Sequence, residues 1–293
     1  GLGYTDVWSA EAGGADAFTP LALASVWGPR LHLGTAIVPV FTRGPATLAM
    51  CAASLADAAP GRVSLGIGSS SDIIVQRWNG IAFDRPLPRV RDTVRFLRAA
   101  LAGERISQAY ETFTVDGFRL QTPPHQPPRL LVAALRPGML RLAGREADGA
   151  ILNWLSAADV GRVAPYVLAG GAEKELVARI FVAPPSTDVA AVRAAARALI
   201  ATYLTVPVYR AFHEWLGRGE VLAPMWRAWT AGDRRAAAAA IPDEVVDDLV
   251  VHGSPQQCRE HIARYVAAGV TTPVLALLPG GDPVEVVRAL APA

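Results

Sequence analysis

The chain has almost no lysine: of its 28 basic residues, only Lys174 is not an arginine. A P-loop needs a lysine after its glycines, and a pyridoxal enzyme or a Schiff-base aldolase needs one in its pocket. Lys174 sits in Gly170-Gly171-Ala172-Glu173-Lys174, with no Gly-Lys-Ser/Thr nearby, so these chemistries are excluded. Charge is also scarce, at 18% of 293 residues with a net charge of +2 and no basic stripe. Nucleic acid is thereby removed as a partner. Two cysteines, Cys51 and Cys258, are too few for a disulfide framework or a zinc cluster. None of the five histidines forms a metal pattern: His213-Glu214-Trp215-Leu216-Gly217 lacks a second histidine, and His252 and His261 are nine apart. No Gly-x-Ser-x-Gly elbow is present, which argues against a serine hydrolase. No apolar run reaches the ~18 residues of a membrane span. The start, Gly1-Leu2-Gly3-Tyr4-Thr5-Asp6, has neither a basic region nor a signal core. The expectation is a cytoplasmic protein with no membrane partner.

What the sequence does have is apolar residues, 52% of the total, enough for one large core. Seven short apolar runs alternate with Ala/Leu/Arg-rich helical stretches: Thr5 to Ser9, Leu31 to Val40, Arg62 to Gly68, Arg129 to Ala134, Gly149 to Trp154, Val177 to Ala183 and Thr272 to Leu278. Apolar runs without alternation are the mark of parallel strands buried on both faces. Helix starts are marked at Thr19-Pro20, Ser254-Pro255-Gln256-Gln257 and Asp282-Pro283-Val284-Glu285. Tyr110 to Leu120 reads as a surface hairpin turning at Asp116-Gly117. Residues 190–248 read as a helical insertion before the last strand. Seven strands with helices between them suggest a (β/α)8 TIM barrel in one domain, residues 1–293, lacking the first β-strand and most of its helix. An open doubly wound sheet, which needs no eighth strand, is the alternative.

Three features could carry chemistry. Gly66-Ile67-Gly68-Ser69-Ser70-Ser71 closes a strand and opens like a dinucleotide fingerprint but lacks its third glycine. It is suited to a flat heteroaromatic ring or a phosphate, or is simply a solvated turn. Ala133-Ala134-Leu135-Arg136-Pro137-Gly138 places small residues at a strand end, then an arginine, then a proline in the first turn of a helix. Free N–H groups, the helix dipole and Arg136 make an anion site with phosphate as its natural guest, unless Arg136 merely pairs on the surface. Glu11, just past the strand Val7-Trp8-Ser9, is an acid at a barrel mouth, able to handle a proton if burial raises its pKa.

The sequence resembles the luciferase-like monooxygenase superfamily and, within it, the oxidoreductases that use the deazaflavin coenzyme F420. The resemblance rests on Leu33-Gly34-Thr35-Ala36-Ile37-Val38-Pro39-Val40, Gly61-Arg62-Val63-Ser64-Leu65-Gly66-Ile67-Gly68, Ala143-Gly144-Arg145-Glu146-Ala147-Asp148-Gly149-Ala150-Ile151-Leu152-Asn153, and Gly253-Ser254-Pro255-Gln256-Gln257-Cys258 before Tyr265-Val266-Ala267-Ala268-Gly269-Val270. It implies a luciferase-like barrel, a homodimer, and hydride transfer between the deazaflavin and a small-molecule substrate. It also implies a non-prolyl cis peptide at Ala36-Ile37 against the coenzyme ring, with Gly68, Ser69, Ser70 and Ser71 beside ring and ribityl chain and Ala133 to Gly138 around the phosphate. Glu11 matches a position where sugar-phosphate dehydrogenases of this family carry a catalytic histidine, and Ser71 stands where they carry an acid. Both departures argue against sugar-phosphate substrates. Glu11 is the candidate for the one proton required, and Trp8, Asn153 and Trp154 are expected on the substrate side. An FMN-dependent monooxygenase and a non-catalytic flavin-binding relative stay open as alternatives.

Overall fold

Each of the seven apolar runs forms a strand, and the strands pair in parallel, as strands joined by helices must. The computed structural model describes residues 1–185 and 188–292. Their contacts divide into two units, one of Tyr4–Ile151 with Tyr166–Glu175, the other of Gly1–Gly3, Leu152–Pro165 and Leu176–Ala293.

The N-terminal unit holds β1 (Asp6–Ser9), α1 (Phe18–Trp27), β2 (His32–Thr35), β3 (Val38–Pro39), α2 (Pro45–Ala58), β4 (Val63–Gly68), a π-helical turn (Ile73–Trp78), α3 (Pro86–Leu101), β5 (Ile106–Ala109), β6 (Thr114–Phe118), β7 (Arg129–Ala133), α4 (Pro137–Glu146) and the start of β8 (Gly149–Asn153). The parallel order is β1-β2-β4-β7-β8, with Val7 opposite Leu33, Leu33 opposite Val63, Leu65 opposite Leu130 and Val132 opposite Ala150. Every residue of the central β4 is buried, which is why its sequence carries no alternation. The run from Leu31 to Val40 becomes two strands, β2 and β3, on either side of the Ala36–Ile37 peptide, which is cis. Leu21, Leu33, Leu55, Ala59 and Val63 pack together beneath α1 and α2.

At Gly66 the close approach of β2 and β4 demands glycine. Thr35 Oγ1 donates to Gly66 O at 2.8 Å and accepts from Gly66 N–H at 2.8 Å. A Cβ at this position would lie 2.0 Å from Thr35 O and 2.2 Å from Ile151 Cδ1.

Two local readings are corrected. The hairpin turns at residues 110–113, where Tyr110 N–H donates to Phe113 O, and Asp116-Gly117 lies inside β6 near an irregularity in the register. The Tyr110 and Phe113 rings are 4.8 Å apart and both meet Phe96. Aromatic burial sets the reversal, while Gly117, at φ +71°, relieves the strand. Similarly, α1 starts at Phe18, ahead of Thr19-Pro20, because the Asp16 carboxylate accepts from the N–H groups of Phe18 and Thr19. These bonds, Thr19 foremost, hold the Asp16 carboxyl below its ordinary range.

α5 (Ala157–Leu168) belongs in its greater part to the C-terminal unit. That unit continues with β9 (Glu175–Val182), α6 (Val189–Leu204), α7 (Pro207–Trp215), α8 (Gly219–Thr230), α9 (Arg234–Ala239), α10 (Asp243–Leu249), β10 (Val250–Val251), α11 (Pro255–Ala267), β11 (Thr272–Leu277) and α12 (Pro283–Ala289). β9 pairs in parallel with both β10 and β11. The insertion expected over 190–248 is the run of helices α6 to α10, and β10 is too short to have signalled itself. Ile200, Leu204, Leu222, Met225, Trp226 and Leu249 form the core of these helices, with Trp226 Nε1 donating to Leu204 O. α11 opens with the expected capping box between Ser254 and Gln257. No single described helix is long and apolar enough to cross a membrane.

Ion pairing in both units is mostly the work of guanidinium groups, the exceptions among the described residues being Lys174 with Glu173 and His252 with Asp247. Arg95 pairs with Glu146 and Arg98 with Asp148. In the C-terminal unit Arg193 pairs with Asp243 and Asp247, and Arg218 with Asp159.

His213 of α7 is fully buried in this unit. Burial, helped by the Arg218 charge and opposed by Asp159, pushes its pKa down to about 4. The folded protein thus keeps His213 neutral at pH values where the unfolded chain, titrating near 6.5, takes up a proton. Stability is complete above that value and falls as the pH drops toward 4, by about 2 kcal/mol per such histidine between pH 7 and pH 5. Urea unfolding at those two pH values should show this slope, and His213→Leu should flatten it by about that amount. An unchanged slope in the variant would refute the assignment.

Candidate active site

The ends of β4 and β7 in the N-terminal unit, Gly68 and Ala133, meet Ile37, which lies just before β3. A Cβ on Gly68 would lie 2.9 Å from Ala133 Cβ and 3.1 Å from Ile37 Cδ1. Glycine at 68 therefore leaves a shallow floor between apolar walls that any side chain would fill. Ser69, Ser70 and Ser71 follow, each half-buried, with Ser70 at φ +63°. The Ser69 hydroxyl donates to Ser70 O and the Ser71 hydroxyl accepts from Ile74 N–H, both at 3.4 Å. Bonds of that length are weak, so the hydroxyls remain available to a guest. The segment after them is π-helical rather than the α-helix a dinucleotide fingerprint requires.

Beside this floor, α4 begins without a side-chain cap. Arg136 is its N-cap residue and Pro137 its first helical residue. The first helical bond runs from Leu140 N–H to Arg136 O, so the Gly138 and Met139 N–H groups point outward with no acceptor inside the helix. Arg136 is exposed, and among the described residues its side chain makes no hydrogen bond and no ion pair. Ala134 N–H is used in the sheet, donating to Ile151 O at 3.0 Å, and Leu135 is half-buried at the turn. An uncapped helix start with an uncommitted guanidinium at its lip fits an anion, and phosphate above all.

Glu11 is tied to the same region through its backbone, its N–H donating to Ile37 O at 3.1 Å. Its carboxylate is committed: Arg43 Nε donates to Oε1 at 3.1 Å, Arg43 Nη2 to Oε2 at 2.9 Å, and Ala17 N–H to Oε2 at 3.3 Å. Arg43, held also over the Phe18 ring, has its pKa raised chiefly by this hydrogen-bonded pairing. Glu11 and Arg43 are 32 positions apart with no pattern linking the two, so the partnership was invisible in the sequence. Trp8 packs flat on Gly34, where a Cβ would lie 2.2 Å from its ring, and its Nε1 is buried without a partner.

The remaining expected residues, Asn153 and Trp154, lie in the C-terminal unit. Asn153 Nδ2 donates to Tyr209 Oη at 2.8 Å, while Asn153 Oδ1 is buried with no partner. Trp154 is 1% exposed and has φ +54°, and its indole stacks on Phe181 with centroids 3.9 Å apart. Tyr209 was missed in the sequence because it lies in the helical insertion, where nothing distinguishes it from packing residues.

Comparison with known proteins extends the geometry. Residues 1–272 match the family model for the luciferase-like monooxygenases. A Mycobacterium tuberculosis protein provisionally named a coenzyme F420-dependent oxidoreductase is 30% identical, over 93% of this chain and 86% of its own length. The 5,10-methylenetetrahydromethanopterin reductase of Archaeoglobus fulgidus is 26% identical, over 87% of this chain and 79% of its own. Among solved structures, the coenzyme F420-dependent tetrahydromethanopterin reductase of Methanopyrus kandleri superposes with a TM-score of 0.81 at 19% identity, covering 99% of this chain and 90% of that one. That likeness establishes the α/β fold of the TIM-barrel type.

Proposed function

Because the chain belongs to the luciferase-like monooxygenase family, we propose that it is an oxidoreductase moving a hydride between coenzyme F420 and a small organic substrate. The observation that carries this reading is the pairing of a glycine floor at Gly68 with an uncapped, guanidinium-flanked helix start at Arg136. A flat ring needs the first and a phosphodiester the second. The names of the relatives, which specify F420, support the choice of coenzyme.

In this reading Ala36, Ile37, Gly68 and Ala133 lie against the ring, and Ser69, Ser70 and Ser71 hydrogen-bond the chain beyond it. Ala134, Leu135, Arg136, Pro137 and Gly138 shape the phosphate site. The bound coenzyme would supply the two-electron carrier, chemistry that no side chain provides. Glu11, expected from its position to handle a proton, has its carboxylate occupied by Arg43 and Ala17; the geometry favours a positioning role, holding Ile37 O through its N–H. Trp8, in the same unit as the ring-binding residues, is proposed for the substrate side.

Titration of F420 with the protein, followed by quenching of deazaflavin fluorescence, tests the proposal. Saturable quenching at micromolar protein, with FMN binding at least tenfold weaker, is the expected outcome. Tight FMN binding without F420 quenching would replace it with a flavin-dependent monooxygenase.

A further inference from the structure

The C-terminal unit contains an arginine that its own structure does not use. Arg179 lies on β9 two residues before Phe181, so both side chains leave the same face of the strand. Its Cζ lies 4.7 Å from the centroid of the Phe181 ring. The Trp154 indole, at 3.9 Å, covers one face of that ring, which leaves the other for the guanidinium. Among the described residues Arg179 has no hydrogen bond and no ion pair, although neighbours such as Arg193 and Arg218 hold carboxylates. A guanidinium held over an aromatic ring by a cation–π contact keeps its N–H donors free for another partner. As a fork, those donors match two oxygens of one carboxylate.

Two further polar groups in the neighbourhood are incompletely met. Whichever way the Asn153 amide is turned, one of its polar atoms faces Tyr209 Oη at 2.8 Å and the other has no partner in the protein. The Tyr209 phenol is pushed up chiefly by burial, with a smaller push from Tyr203, and is held back by its bond to Asn153 and by the charge of Arg179. Tyr203 completes the frame, its ring 5.0 Å from Trp154 and 6.0 Å from Tyr209. A buried polar atom left unsatisfied is costly and calls for a partner from outside the chain, such as water, an ion or a ligand.

We propose that Arg179, Asn153 and Tyr209, all within the C-terminal unit, form a recognition site for an organic carboxylate. The guanidinium fork takes both carboxylate oxygens, and the free side of the Asn153 amide meets a polar group beside them. The site therefore selects carboxylic acids over their neutral amides. The site is argued from this unit alone, and its test is independent of the coenzyme.

The test is calorimetric titration of the full chain with benzoate and with benzamide, which have the same shape and differ in charge. Benzoate should bind at least about tenfold tighter, the effect of a charge-assisted bidentate pair. Arg179→Gln should abolish that preference, bringing benzoate affinity down to that of benzamide. Arg179→Lys, which keeps the charge and loses the fork, should retain only part of it, and this variant decides the matter if the glutamine variant fails to fold. Equal affinity for the two probes, no binding of either, or a preference that survives in Arg179→Gln and Arg179→Lys would overturn the proposal. A parallel F420 titration of wild type and Arg179→Gln separates the two ideas. F420 quenching with no benzoate preference sinks only the carboxylate site, and a benzoate preference without F420 quenching sinks only the choice of coenzyme.

Discussion

A chain carrying Gly66→Ala is expected to lose most of its stability. The added Cβ would meet the Thr35 carbonyl oxygen at 2.0 Å and the Ile151 side chain at 2.2 Å. Ile151 Cδ1 can swing aside, but the Thr35 carbonyl cannot, since it is backbone in the sheet. The two strands must separate, and separation breaks both 2.8 Å bonds between Thr35 Oγ1 and Gly66, which are buried. Overpacking plus two lost buried hydrogen bonds places the cost at about 4 kcal/mol or more, a large part of the 5–15 kcal/mol that holds a typical domain together. Urea denaturation of purified protein is the check, and an unfolding midpoint close to wild type would contradict the account. Gly80→Ala is a useful companion: no atom lies within 4 Å of a Cβ there, and its cost is limited to the strain of φ +67°.

The second large effect is on ligand affinity. Arg136→Ala should weaken F420 binding about 10- to 100-fold, the range for losing one charge-assisted contact to a phosphate oxygen at a partly exposed site. Arg136→Glu should weaken it further by placing a negative charge at the uncapped start of α4. Because the Arg136 side chain makes no hydrogen bond or ion pair among the described residues, neither substitution should move the melting temperature by more than a degree or so. Raising the salt concentration should weaken wild-type binding more than that of Arg136→Ala, since only the former has the ion pair to screen. If Arg136→Ala binds F420 as well as wild type at low salt, the phosphate lies elsewhere.

The sequence disclosed much of the framework and little of the side-chain partnerships, for physical reasons. A parallel strand buried on both faces must be apolar throughout, so β4, β7 and β9 were legible as runs. The Ala133 to Gly138 segment was legible because a small-residue strand end followed by Arg-Pro-Gly is a local pattern. The hairpin was misread at its turn because Asp116-Gly117 is a good local reversal, yet Tyr110, Phe113 and Phe96 bury more surface when the chain reverses earlier. Glu11 with Arg43, and Asn153 with Tyr209, join residues 32 and 56 positions apart. No periodicity spans such intervals, and only the fold brings these groups together. Arg179 was hidden differently: inside an otherwise apolar strand a lone arginine looks like noise until its lack of a partner is seen.

The dependence on guanidinium for pairing gives the protein an uneven response to extremes of pH. Arginine keeps its proton past pH 12, whereas lysine-based bridges dissolve as the solution approaches pH 11. The bonds from Arg95, Arg98, Arg193 and Arg218 to their carboxylates therefore have an acid limit, set by the carboxylates, and no corresponding alkaline one. Lys174, whose Nζ donates to Ala147 O, is the one lysine side chain that alkali can discharge. Hardness toward base and softness toward acid follow from a composition that first stood out only for the chemistry it ruled out.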